Sequence, residues 1–166
     1  MENTGRKILI VEDEPDLREF IVELLQENHA NIYQAENGKV ALEMLQKDDF
    51  HLVISDIKMP LMNGINLLCE TKTQGLLIPF ILITGSDDKK NLVNAIRLGA
   101  VDFLAKPFSP KELVDSVLKA LEIETKRREL QRILNSAKDD KVVHLEKMIR
   151  LLGVSNFKKK EGQKAG

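Results

Sequence analysis

HLVISDIKMPLMNG, residues 51–64, is the stretch from which the rest of the chain is read. Leu52, Val53 and Ile54 make a short apolar run, Asp56 stands at its end, and a Met-Pro pair and Gly64 follow. Strands buried in parallel sheets are apolar on both faces and carry their chemistry at the carboxyl end. Asp56 therefore falls where open α/β sheets place their ligands. Pro60 and Gly64 punctuate a loop before a helix that begins near Ile65. Taken alone, Asp56 is read equally well as a strand cap. The ends of four other predicted elements argue otherwise.

Working outward, KILIV at 7–11 is a second short apolar run, closed by Glu12, Asp13, Glu14 and Pro15. Pro15 suits the first turn of a helix, and Leu17, Phe20, Ile21, Leu24 and Leu25 recur at helical spacing. NIYQA at 31–35 predicts another strand, with a turn at Asn37-Gly38 and a helix carrying Val40, Ala41, Met44 and Leu45. Beyond the central stretch, Ile65 to Thr73 reads as a helix and PFILIT at 79–84 as a buried strand. Asp87 to Leu98 predicts a fourth helix, stopped by Gly99, and VDFLA at 101–105 a fifth strand ending at Lys106-Pro107-Phe108. Ser109-Pro110 caps and opens a long fifth helix.

Five strands alternating with five helices predict an α/β, doubly wound parallel sheet in the order 2-1-3-4-5, with right-handed crossovers. Strands 1 and 3 are then neighbours at the switch point. Glu12, Asp13 and Asp56 converge there on one acidic pocket.

Composition fits a globular protein, since 43% of the residues are apolar and 31% charged. No apolar run reaches the length of a membrane span and no leader is visible, so a cytoplasmic protein is expected. Cys69 is the only cysteine, which excludes an internal disulfide and reads as a small buried residue on a helix. The histidines share no metal-ligand spacing with it. Charge is uneven. From Glu122 onward there are 12 Lys+Arg and 7 Asp+Glu, net +5, against 13 and 19, net −6, before it. That asymmetry bears on partners rather than on fold.

Three carboxylates in one cleft repel one another unless a cation intervenes, and Mg²⁺ suits an all-oxygen site that retains water. Thr84 contributes a hydroxyl at the end of strand 4 and Lys106 an ammonium at the end of strand 5. A metal, a hydroxyl, an ammonium and a free carboxylate form a site for a phosphoryl group. Glu12 and Asp13 lie together and are better placed to hold the metal, which leaves Asp56 as the nucleophile.

These positions, namely Glu12-Asp13, Asp56 with Met59-Pro60 and Gly64, Thr84, Phe103, and Lys106-Pro107-Phe108, occur in order. The chain so resembles the receiver domain of two-component response regulators, with its flavodoxin-like fold, over roughly residues 6–121. The resemblance implies that Asp56 accepts a phosphoryl group from a phosphohistidine on a sensor kinase or phosphotransfer protein. It implies that Asp13, Asp56 and the main-chain carbonyl of Lys58 ligate Mg²⁺, with Glu12 acting through water. Lys106 would contact the phosphoryl oxygens, and its peptide to Pro107 would be cis. Thr84 would move toward the phosphoryl group and Phe103 rotate inward behind it, switching an output face of helix 4, strand 5 and helix 5. Lys58 and Ser86 occupy positions that vary in such domains and affect the lifetime of the acyl phosphate.

The domain is expected to span residues 1–121. A helical extension follows over 122–153, then a disordered basic tail over 154–166. About 45 residues after Leu121 leave no room for a DNA-binding output domain, so neither DNA nor membrane contact is expected. Ile123, Leu130, Ile133, Leu134 and Ala137 form a broken apolar stripe, and the fifth helix is expected to stop near Asn135, where Asn-Ser and Asp139-Asp140 interrupt it. Val142, Leu145, Met148, Ile149 and Leu152 would form a second amphipathic segment, ended by Gly153. Too short to fold alone, it would bury its face in a homodimer, on its own receiver or on an output protein. His144 reads as a solvated helix residue.

The expected function is a phosphorylation switch relaying a kinase signal through protein contacts, not an enzyme acting on a separate substrate. A receiver-shaped scaffold that works unphosphorylated has no need of the acidic pocket, Thr84 and Lys106. A Mg²⁺-dependent aspartyl-phosphate phosphohydrolase would carry its nucleophile after the first strand rather than the third.

Overall fold

The computed structural model describes residues 5–26, 31–85 and 96–151. Its strands are β1 (Lys7–Val11), β2 (Asn31–Ala35), β3 (Leu52–Asp56), β4 (Phe80–Thr84) and β5 (Asp102–Ala105). The first three helices are α1 (Pro15–Gln26), α2 (Gly38–Lys47) and α3 (Gly64–Thr73), and a C-terminal helix runs Pro110–Leu151. All strand pairs are parallel, in the order β2-β1-β3-β4-β5. The predicted fold class and strand order are those observed.

Alternation along each strand explains why the sheet is apolar on both faces. Ile8, Ile10, Leu52, Ile54, Ile81 and Ile83 face a core shared with Ile21 and Leu25 of α1 and Leu113 and Val117 of the C-terminal helix. Leu9, Val11, Val53, Phe80 and Leu82 point the other way, against Ala41 and Leu45 of α2 and Leu67 and Leu68 of α3. Each fully buried aliphatic side chain stabilises by roughly 1.5–3 kcal/mol, and a one-residue slip would exchange the two faces.

Helix starts are fixed locally. Asn37 Oδ1 accepts from the N–H groups of Lys39 and Val40, each at 3.0 Å, and Asn63 Oδ1 accepts from Asn66 at 2.8 Å. Before the C-terminal helix, Ser109 N–H donates to Glu112 Oε2 at 2.7 Å while Glu112 N–H donates to Ser109 Oγ at 3.2 Å, a reciprocal capping box.

Two expectations, the end of the fifth helix and the burial of Cys69, need correction. The fifth predicted helix does not stop near Asn135 but continues as one helix to Leu151. Asn, Ser and Asp have modest helix propensity, and four such residues do not break a helix flanked by good formers. The chain divides into two compact units, Met1–Lys126 and Arg127–Gly166. Within the first, Glu124 is buried, and Arg6 Nη2 donates to Thr125 Oγ1 at 3.4 Å. Cys69 is exposed. The buried face of α3 is made by Leu67, Leu68 and Thr71, and helical spacing turns position 69 away from it.

The predicted helix over 87–98 lies outside the described residues except for its end, where Ile96 and Arg97 are helical and turn at Gly99. Ser86, the expected stop at Gly153 and the tail over 154–166 also lie outside them. Among the described residues no helix is long and apolar enough to cross a membrane.

Candidate functional site

The strand order brings four expected residues to one edge. β1 ends beside β3, with Val11 opposite Ser55, so Glu12 and Asp56 emerge from adjacent strands. Glu12 N–H donates to Ala35 O of β2 at 3.1 Å, continuing the ladder one residue beyond the strand. Lys106 follows β5, where its N–H donates to Thr84 O at 2.8 Å. Its peptide to Pro107 is cis, as the resemblance implied.

Glu12 and Asp56 are buried and Asp13 is exposed. One oxygen from each lies within 4.8 Å of the others. Lys106 Nζ sits 3.1 Å from Glu12 Oε2 and 2.8 Å from Asp56 Oδ1, so one ammonium bridges two buried carboxylates. The remaining oxygens are also engaged. Asp56 Oδ2 accepts from Lys58 N–H at 2.7 Å, and Glu12 Oε1 from Glu14 N–H at 3.2 Å.

Burial, and then the charge of Asp56, push the Glu12 carboxyl above the usual carboxylate range, against the opposing pull of the Glu14 N–H and Lys106. Burial alone would lower the Lys106 ammonium, but its hydrogen bond and charge contact with Asp56, reinforced by Glu12, raise it. Three carboxylates face a single ammonium here, so the pocket is short of positive charge even with Lys106 in place. A hard cation with oxygen ligands fits this donor set.

The loop carrying Asp56 is shaped by its neighbours. A cavity of about 420 Å³ is lined by Asp13, Ile57, Lys58, Met59, Pro60, Asn63 and Ile65. Gly64 N–H donates to Ile57 O at 3.0 Å, and a Cβ at Gly64 would run into the carbonyl oxygen of Asp56. Gly64 is therefore required for the close approach of the two backbones.

Other expected residues are near without joining the cluster. Thr84 is buried at the end of β4, and its hydroxyl donates to Gly85 O at 3.1 Å. Phe103 is 38% exposed on β5. Its N–H donates to Asp102 Oδ1 at 3.0 Å, and Ser116 Oγ holds the other oxygen of Asp102 at 3.0 Å. Lys58 meets Asp56 through its N–H. Arg18 was missed from the sequence. Its Nη1 donates to Glu12 O at 2.6 Å, a contact that no spacing in the sequence announces.

The sequence profile of the response regulator receiver domain matches residues 8–118. A probable transcriptional regulatory protein of Picosynechococcus is 38% identical over 119 residues, covering 68% of this chain and 47% of its own length. The chain spans about half the length of the curated relatives it matches. Among solved structures, NtrX of Brucella abortus superposes with a TM-score of 0.72 at 31% identity, over 78% of this chain and 30% of that one. Chemotaxis protein CheY4 of Vibrio cholerae gives 0.66 at 28% identity, over 71% of this chain and all of that one.

Proposed function

The chain belongs to the response regulator receiver family, a signalling family, and from that premise we propose that Asp56 is its phosphoacceptor, charged by a phosphohistidine of a sensor kinase or phosphotransfer protein. What supports this reading most is the state of Asp56. It is buried, its Oδ1 lies 2.8 Å from Lys106 Nζ, and Glu12 and Asp13 stand beside it.

An Asp56 carboxylate oxygen attacks phosphorus in line with the donor P–N bond. That bond breaks, and its electron pair leaves on the imidazole nitrogen. Lys106 moves from its carboxylate partners to the phosphoryl oxygens, offsetting their charge. Asp13, Asp56 and the Lys58 carbonyl would hold Mg²⁺, with Glu12 reached through water. When bound, Mg²⁺ supplies the positive charge that the acidic pocket lacks and that the transferring group requires. Thr84 then turns its hydroxyl from Gly85 O to the new phosphoryl oxygen, and Phe103 moves inward. Water then attacks phosphorus, the P–O bond to Asp56 breaks, and inorganic phosphate leaves as Asp56 returns to its free carboxylate.

The output in this reading is a change of protein partners. Within the unit from Arg127 onward, Leu130, Ile133 and Leu134 are each at least 55% exposed on the helix, which favours self-association as one such output.

Phosphoryl uptake from acetyl phosphate or phosphoramidate with Mg²⁺, read on a phosphate-affinity gel, tests the proposal. Wild type is expected to shift and Asp56→Asn not to. No uptake by wild type while Mg²⁺ binds would overturn the switch and favour a scaffold. Equal uptake by Asp56→Asn would place the acceptor elsewhere.

A further inference from the structure

Arg18 lies on α1 and joins two elements at the rim of the acidic pocket. Nη1 donates to the main-chain carbonyl of Glu12 at 2.6 Å, and Nε donates to Gln34 Oε1 on β2 at 3.2 Å. The N–H of Glu12 is taken by Ala35 O at 3.1 Å. Glu12 is thus held on both sides of its backbone, by β2 at its nitrogen and by a guanidinium at its carbonyl.

That carbonyl belongs to the peptide leading into Asp13. Among the described residues Glu12 is the last of this strand to bond β2, and Asp13, exposed beyond it, makes no backbone bond there to fix its direction. Rotation of the Glu12–Asp13 peptide would swing the Asp13 carboxylate away from Glu12 and Asp56. A planar guanidinium with two acceptors on different elements restrains such rotation better than a single ammonium can.

We propose that Arg18 is a positioning residue for the divalent-cation site: through the Glu12 carbonyl it aims Asp13 without itself touching the cation. The inference rests on the reading of the pocket as a Mg²⁺ site.

Two effects of Arg18 oppose each other. Its positive charge disfavours a nearby cation, whereas its hydrogen bonds prearrange a ligand. Arg18 is partly exposed, so solvent and salt screen its charge. Loss of an outer partner of a metal ligand commonly changes affinity by about 10–100-fold. Prearrangement therefore outweighs repulsion, and removing Arg18 weakens binding.

The experiment is calorimetric titration of the full chain with Mg²⁺ alone, comparing wild type, Arg18→Ala, Arg18→Lys, Gln34→Ala and Asp13→Asn. The Asp13 amide is followed in nitrogen-15 correlation spectra. Arg18→Ala is expected to raise the Kd about tenfold. Arg18→Lys, which keeps the charge but offers a single donor nitrogen in place of the fork, should recover part of that loss, and Gln34→Ala should give a smaller one. The Asp13 amide should shift in the metal-free Arg18 variants while their thermal midpoints show them folded. Should Arg18→Ala not fold, Arg18→Lys and Gln34→Ala decide. Variants binding as tightly as wild type, or more tightly, overturn the inference and leave the metal site standing. If wild type shows no Mg²⁺ binding that Asp13→Asn abolishes, the metal reading falls and the inference with it.

Discussion

Glu12 and Gly64 each trade stability for the shape of the site, in opposite ways. The folded state holds the Glu12 carboxyl above its ordinary 4.5, so the stability it allows is complete below that value and is lost as pH rises through the raised one. At neutral pH its ionised form is a cost, only partly met by Lys106. In metal-free buffer at pH 7, Glu12→Gln is therefore expected to raise the urea midpoint above that of wild type. The difference should vanish at acid pH, where Glu12 is protonated; a lower midpoint at pH 7 would show that the Lys106 contact outweighs burial. Gly64 makes space for the Asp56 carbonyl. Gly64→Ala should cost about 1–3 kcal/mol in denaturant unfolding by forcing the loop away from that carbonyl, and should slow phosphoryl uptake by displacing Asp56.

Among the elements, the C-terminal helix starts on a reciprocal device, a serine and a glutamate that cap each other. Ser109→Ala removes the hydroxyl bonded to both the Glu112 N–H and Glu112 Oε2, and should cost about 1 kcal/mol by denaturant titration. Hydrogen bonds from the Ser109 backbone and hydroxyl hold the Glu112 carboxyl below its ordinary range. Its contribution is present above pH 4.5 and is lost as pH falls through the lowered value, so Glu112→Gln should be less sensitive than wild type to acidification in that window. Ser109-Pro110 was legible as a helix start, because a cap depends on residues two or three apart, whereas Asn37-Gly38 read only as a turn and the cap at Asn37 emerged with the structure. The length of the helix was not. Interruptions at Asn135 and Asp139 are weak local preferences, overridden once a long helix has formed.

For the molecule as a whole, the division at Lys126 invites a direct measurement. A chain ending at Lys126 keeps both buried clusters and the pocket, and is expected to fold and take up phosphoryl groups as the full chain does. Light scattering should report a dimer for the full chain and a monomer for the shortened one. Monomers in both cases would remove self-association through Leu130, Ile133 and Leu134 from the proposed outputs.

The strand order, both apolar faces and the convergence of Glu12, Asp13, Asp56 and Lys106 were determined by the sequence itself. Buried parallel strands must be apolar on both sides, and a doubly wound sheet delivers every strand's carboxyl end to one edge. Only the tertiary structure decided that Lys106 bridges Glu12 and Asp56, that Gly64 abuts the Asp56 carbonyl, and that Arg18 clamps the Glu12 peptide. It also decided that Cys69 faces outward. Periodicity records which side of an element is buried. Which particular atoms meet across a sequence separation of 94, as those of Lys106 and Glu12 do, depends on side-chain lengths and approach distances that exist only after the elements have packed.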